Sequence, residues 1–322
     1  MNKTGLVGQH IEHSFLPRLH NAAYEELGLD WEYGLYPCET VADFEALIKT
    51  AKREGTGFIG LSVTAPYKRD ANRVAIGRSQ DAALIQAANA LTFGAGVTRS
   101  YAGVFADNTD GLGFAAMLRQ ANIELAGEKA VICGSGPVAL SVLLELAKTQ
   151  VGAVTILSRM PEPIRKRAFE LLRVLGEARY LKLASSRVSG NRGEMVRLFS
   201  NMNEIRSKFM PQIDVTALAY DQAMEALKGA AVLINATPLG MHLGDPTPVP
   251  AALLRPDLAV LDVVCGNGKT ALVEAAHAIG AFALDGMEML VEQTALTIEL
   301  WASTHGQRLT APREAMRQAV QV

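Results

Sequence analysis

The sequence predicts an α/β protein of two domains. Three observations carry that prediction. Apolar strand-like segments alternate with amphipathic helix-like ones along the chain. One unbroken passage, "EKAVICGSGPVALSVLLELAKTQVGAVTILSR", reads as strand, glycine turn, helix, strand. The 322 residues are 49% hydrophobic, enough for more than one core.

The elements follow in order. Gly5 to Gly8 reads as a short first strand. Pro17 to Leu27 reads as a helix, with proline near its start and Gly28 past its end. "WEYGLYPC" is a second strand, "VADFEALIKTAK" an amphipathic helix stopped by Gly55, and "GFIGLSVTAP" a third strand. This rhythm predicts a mostly parallel sheet. A second unit starts near Asp110. After its glycine turn come strands at Ala231 to Ala236 and Ala259 to Val264, then "GAFALDG" as one more. The segment Met289 to Trp301 is an apolar helix. Gly176 to Gln222 has mixed charge and scattered apolar residues, and reads as a helical excursion on the surface. The domains are therefore expected at 1–109 plus 287–322 and at 110–286, the excursion at about 176–222 being atypical.

The glycine turn is the first motif with chemistry. Gly134-Ser135-Gly136-Pro137-Val138-Ala139 matches GxGxxG/A after the apolar strand Ala130 to Cys133. The first glycine permits the tight turn, the second lets a pyrophosphate approach, and small Ala139 allows close packing. The following helix start offers free N–H groups to phosphate. A purely structural glycine turn is the competing reading. The next strand ends at Ser158-Arg159, where an acidic residue would hold a ribose 2′-hydroxyl. A hydroxyl and a guanidinium suit a 2′-phosphate instead. NADP is therefore expected over NAD. A solvated surface arginine is the plain alternative for Arg159. Asn235 and Thr237 lie at the C-terminal end of a parallel strand, where a cofactor contact and a turn-forming role are both open.

Composition excludes several classes. A net charge of -2 gives no basic field for nucleic acid. The apolar runs are too short for a membrane span, and no signal peptide is expected. Cys38, Cys133 and Cys265 are widely spaced, and no CxxC or HExxH occurs, so no metal site is expected. A cytoplasmic protein with reduced thiols is the expectation.

In the first unit, "SVTAPYK" ends an apolar strand on Lys68. A buried lysine needs a partner. "FADNTDGLGF" supplies Asp107, Asn108, Thr109 and Asp110, and "QAANALTF" places Asn89 in an apolar stretch. Lys68 paired with an aspartate could pass a proton to or from a substrate oxygen. Spacing alone leaves open a lysine that faces water and an aspartate that caps a helix.

Eight stretches carry a resemblance: "GQHIEHSFLPRLHN", "SVTAPYK", "QAANAL", "DNTDGLGF", "GSGPVA", "LINATPLGM", "LDVVCGNGKTALVEAA" and "DGMEMLVEQTA". In that order, over nearly the whole chain, they resemble the shikimate dehydrogenase family. The resemblance implies an N-terminal substrate domain, a Rossmann-like NADP domain and a cleft. It implies catalytic Lys68 with Asp110, contacts from Thr64, Asn89 and Gln293 to substrate hydroxyls, Ser14 on the substrate carboxylate, and Gly286 beside the nicotinamide. The implied partner is a small cyclic hydroxy acid. The implied reaction is reversible hydride transfer between NADPH and a ring ketone, 3-dehydroshikimate becoming shikimate. A homodimer is compatible with the sequence.

Departures from the family pattern are local. Leu16 stands where a second serine is usual, Cys265 where a tyrosine is usual, Ser62 for an asparagine, Glu288 for a glycine, and Pro163 for a basic residue. Two of three hydroxyls at the carboxylate end are gone. His13 and Arg18 lie near enough in sequence to compensate. The same chemistry on quinate, an aminated shikimate or another cyclic polyol, with NAD or NADP, therefore stays open. So do a methylene-tetrahydrofolate dehydrogenase-like enzyme and a non-catalytic NADP sensor, although "DNTDG" and "MLVEQ" argue against the former and Lys68 with Asp110 against the latter.

Overall fold

The computed structural model describes residues 2–94, 103–187, 210–266 and 268–321. They form two compact units, Met1–Gln120 with Gly286–Val322, and Ala121–Asp285.

The first unit begins with β1 (Asn2–Gly8), α1 (Leu16–Glu26), β2 (Trp31–Pro37), α2 (Val41–Ala51), β3 (Gly60–Val63) and α3 (Lys68–Val74). Local chemistry sets these bounds. Pro17 sits in the first turn of α1, and Gly28 follows it at φ +61°. Thr40 and Asp43 close a reciprocal capping box on α2. Then come β4 (Gly77–Arg78), α4 (Gln80–Ile85), β5 (Ala90–Gly94), β6 (Gly103–Asp107) and α5 (Asp110–Ala121). The strand order is β2-β1-β3-β5-β6-β4. β1 pairs in parallel with β2 and β3, but β5 runs antiparallel to both β3 and β6. The sheet is thus mixed, where the strand–helix rhythm predicts a mostly parallel one. β5 ends at Gly94 and β6 starts at Gly103, a separation shorter than the dozen or so residues that a parallel crossover needs, so the two pair antiparallel.

Val7, Phe44, Ile48, Leu61, Val63, Tyr67, Leu91 and Phe93 belong to one buried cluster of this unit. The helix Met287–Thr304 adds Trp301, which is fully buried and donates from Nε1 to the Leu91 carbonyl at 3.0 Å. Gly60 is what admits the indole, because a Cβ there would lie 2.2 Å from the ring. The last helix, Arg313–Val320, is bound to Met287–Thr304 by two bidentate ion pairs, Arg313 with Glu292 and Arg317 with Glu288. Glu288, a departure from the family pattern, therefore has a structural partner.

The sequence reading opens the second domain at Asp110 and closes it at Gly286. In the structure α5 and Gly286 group with the first unit. The reason for α5 is close packing: a Cβ on Gly113 would lie 2.6 Å from the Met289 carbonyl oxygen. Phe114 and Met117 are fully buried on the same helix.

The second unit contains β7 (Lys129–Cys133), α6 (Pro137–Leu146), β8 (Ala153–Leu157), α7 (Pro161–Arg187), β9 (Asp214–Leu218), β10 (Val232–Asn235), β11 (Ala259–Asp262) and β12 (Ala283–Leu284). All six strands are parallel, in the order β12-β11-β10-β7-β8-β9. This is the doubly wound order, and its switch point lies between β7 and β10. The expected surface excursion resolves differently at its ends. Residues up to Arg187 continue α7, and Asp214–Leu218 is a strand of the sheet beside β8. Residues 188–209 lie outside the described residues.

Candidate active site

Lys68 is the first residue of α3, not the last of a strand. The turn Thr64 to Tyr67 intervenes, with the Tyr67 N–H donating to the Thr64 carbonyl at 3.0 Å. The Lys68 carbonyl accepts from the Ala88 N–H at 2.8 Å, and the Asn89 carbonyl accepts from the Val63 N–H at 2.7 Å. These bonds fix Lys68 and Asn89 in register. Asp110 starts α5, its N–H donating to Asn108 Oδ1 at 3.1 Å. A carboxylate at that end of a helix is favoured by the dipole.

The two charges meet. Lys68 Nζ lies 2.6 Å from Asp110 Oδ2, with side-chain exposures of 15% and 3%. Asn89 Nδ2 donates to the other carboxylate oxygen, Oδ1, at 2.9 Å. The sense of the Asn89 amide is fixed because its Oδ1 accepts the Thr109 backbone N–H at 2.9 Å. Both Asp110 oxygens therefore accept from donors, which suits the ionised acid. A buried pair is costly unless its remaining polar valences are satisfied, and Asn89 satisfies them. Gln293, on the Met287–Thr304 helix, joins the net by accepting from Asn89 Nδ2 at 3.3 Å.

Thr64 directly follows β3, and Ser14 lies in the loop between β1 and α1. The Thr64 N–H donates to the Val7 carbonyl at 3.0 Å, and the Gln9 N–H donates to the Ala65 carbonyl at 3.2 Å. Gly8 permits this approach, because a Cβ would lie 2.4 Å from Thr64 Cγ2. The Ser14 N–H donates to the Ile11 carbonyl, and Ser14 Oγ accepts the Leu16 N–H at 3.2 Å. Leu16 is half-buried at the start of α1, and Arg18, weighed as a compensating cation, sits over the Phe15 ring.

In the second unit Gly134 has φ +117° and lies against the end of β10, where a Cβ would be 2.7 Å from the Ala236 carbonyl oxygen. Only glycine fits that backbone. Gly136 faces open space, and no side chain caps α6, whose first turn holds Pro137 and Val138. Ser135 is exposed beside them. An uncapped helix start under a glycine with free room above it fits a dinucleotide pyrophosphate. Ser158 is buried and its Oγ accepts the Met160 N–H at 3.0 Å, so its hydroxyl shapes the turn into α7. Arg159 is exposed, whereas Arg165 and Lys166 pair with Glu162. Thr237 is turn-forming: its Oγ1 donates to Asn235 Oδ1 at 2.6 Å and accepts the Leu239 N–H. Gly286 precedes the Met287–Thr304 helix and accepts the Leu290 N–H.

Cys265 is a half-buried thiol. Burial and the Asp285 carboxylate push it up to about 12, so it stays protonated and is a poor nucleophile. Among the described residues no group of three or more His, Cys, Asp or Glu could hold a metal, and no helix is long and apolar enough to cross a membrane.

Comparison with known proteins gives the lineage. The chain is 32% identical to the shikimate dehydrogenase (NADP(+)) of Methanopyrus kandleri, over 99% of this chain and 94% of that one. The chain belongs to the shikimate dehydrogenase family. The model of the shikimate dehydrogenase substrate binding domain matches residues 6–91. The shikimate dehydrogenase (NADP(+)) of Rubrobacter xylanophilus is 33% identical, over 92% of this chain and 89% of that one. A crystal structure of a shikimate dehydrogenase in complex with NADP+ superposes with a TM-score of 0.76 at 26% identity, covering 99% of this chain and 94% of that one.

Sequence reasoning named Thr109 in the polar cluster without giving it a role and did not find Thr297; their hydroxyls join Asn89 to the Met287–Thr304 helix. Nor did it find Asp262. This carboxylate is fully buried and accepts from Asn235, Thr270 and the Val264 N–H, yet burial pushes it up to about 6. The signal for Asp262 was an aspartate closing an apolar strand.

Proposed function

We propose that this chain is an NADP-dependent shikimate dehydrogenase, interconverting 3-dehydroshikimate and shikimate. The observation that carries the reading is the Lys68–Asp110 contact at 2.6 Å, oriented by Asn89 and flanked by Gln293. The names of its relatives and the NADP+ complex of a structural neighbour support the substrate and cofactor.

Bound NADPH supplies the hydride. The chain's own residues manage the oxygen. Asp110, acceptor-only, holds Lys68 as an ammonium, and Lys68 gives a proton to the carbonyl oxygen as it becomes an alkoxide, or takes it back in reverse. Asn89, Thr64 and Gln293 orient the ring through its hydroxyls, and Ser14 binds the carboxylate. On the cofactor side Gly134, Ser135, Gly136, Pro137 and Val138 receive the pyrophosphate, Arg159 the 2′-phosphate, and Gly286 lies beside the nicotinamide. Ser158 and Thr237 act through the turns they shape. The three free cysteines suit a reducing cytoplasm.

The test is a steady-state assay of wild type and Lys68→Met with shikimate and NADP+. Turnover by wild type that falls at least about a hundredfold in the variant, with NADP+ binding intact, is the expected result. An inert wild type that still binds NADP+ would refute the reading.

A further inference from the structure

We infer that Thr109 is a positioning residue for this reaction, acting through Gln293; the inference rests on the function proposed above. Thr109 is 6% exposed and lies between the proton-transfer pair and the Met287–Thr304 helix. The Asn89 amide nitrogen has two hydrogens and faces three acceptors: Asp110 Oδ1 at 2.9 Å, Thr109 Oγ1 at 3.0 Å and Gln293 Oε1 at 3.3 Å. Thr109 Oγ1 has one hydrogen of its own. That hydrogen has the Gln293 carbonyl oxygen at 3.2 Å as its nearest acceptor, with Asn89 Oδ1, already holding the Thr109 backbone N–H, farther off at 3.4 Å. Thr297 Oγ1 donates to the same carbonyl at 2.7 Å and lies 3.3 Å from Thr109 Oγ1.

With one Asn89 hydrogen on Asp110 Oδ1 and the other shared between Thr109 Oγ1 and Gln293 Oε1, a closed cycle results. It runs from Asn89 Nδ2 to the Thr109 hydroxyl, to the Gln293 backbone, and through the Gln293 side chain back to Asn89. The cycle fixes the Gln293 amide relative to the carboxylate that holds Lys68. Removing the hydroxyl spares what orients Asn89 toward Asp110, because that sense is set by the Thr109 backbone N–H. What is lost is the route from Asn89 through the Thr109 hydroxyl to the Gln293 backbone, which leaves Gln293 held to Asn89 by the single 3.3 Å bond of its side chain. The effect of losing the Thr109 hydroxyl therefore passes through Gln293, while the proton-transfer pair stays assembled.

The experiment is a double-mutant cycle on the full chain with Thr109→Val, Gln293→Ala and both together, in shikimate oxidation with NADP+. Thr109→Val lowers kcat/KM about tenfold, with most of the change in KM. Thr109→Ser restores it to within about twofold, as a residue acting by its hydroxyl requires. The double variant is no worse than Gln293→Ala alone, and the NADP+ dissociation constant is unchanged. Multiplying losses, or a valine variant equal to wild type, would overturn the assignment. Thr109→Ala is read in the same cycle if the valine variant does not accumulate as folded protein. A wild type inert toward shikimate instead indicts the proposed function, so the two failures are separable.

Discussion

Replacing Gly113 by alanine probes how tightly α5 must lie against the Met287–Thr304 helix. The new Cβ would sit 2.6 Å from the Met289 carbonyl oxygen and 3.2 Å from Gln293 Cβ. Neither is the free end of a flexible chain. Bringing the first contact back to 3.0–3.4 Å requires the helices to separate by about 0.4–0.8 Å. The Asn89–Gln293 bond, already 3.3 Å, then exceeds hydrogen-bonding distance. In stability, overpacking costs about 1–3 kcal/mol, and about 1 kcal/mol returns from replacing glycine within a helix. A net loss of about 0–2 kcal/mol leaves the protein folded. In rate, a misplacement approaching an ångström costs up to about a hundredfold, so kcat/KM for shikimate falls about 10- to 100-fold. The assay is NADPH formation at 340 nm beside a thermal melt and an NADP+ titration, which should not change. A variant with wild-type kcat/KM would refute the argument that this helix contact positions Gln293.

Two further predictions follow from the second unit. If Arg159 receives the 2′-phosphate as proposed, Arg159→Ser removes a charge-assisted contact worth about 1.5–3 kcal/mol, so NADP+ affinity drops about 10- to 100-fold with NAD+ unchanged; equal losses for both cofactors in a fluorescence titration would contradict that role. Asp262 concerns pH. Its folded pKa of about 6 lies above the unfolded value of about 3.9, so the stabilisation is fully present below pH 4 and lost as pH rises through 6. Roughly 2 units correspond to about 3 kcal/mol, which should appear as a Tm that falls between pH 4 and 7 more steeply in wild type than in Asp262→Asn. Parallel Tm curves would show that the buried carboxylate does not govern this range.

The parts of the fold legible in the sequence were those dictated by neighbours in sequence. The Ala130 to Cys133 strand, the glycine turn and α6 follow one another within a few residues, and each carries its own signal. The antiparallel β5 and β6 did not show, because Asn89 interrupts the apolar run at the mouth of β5 and its reason is a partner in α5. Asp214–Leu218 was hidden because two of its five residues are exposed, as at a sheet edge. Lys68 was singled out but assigned to a strand, since Pro66 and the turn around it leave α3 only a short polar pattern. Thr109 was named in the polar cluster but given no role, because its hydroxyl partners lie 20, 184 and 188 residues away. Hydroxyl pairings at such separations leave no local pattern.

The return of the chain to its first unit has a consequence during synthesis. Trp301 fills a place that Gly60 keeps clear, and its indole satisfies the Leu91 carbonyl. All of unit 2, Ala121–Asp285, is made between those two halves. At about 5–20 residues per second the ribosome takes roughly 10–30 s to deliver it. Through that interval the place between Gly60 and Leu91 lacks its indole and Asn89 lacks Gln293. The hydrogen-bond net around Lys68 and Asp110 is thus completed only after unit 2 has been translated.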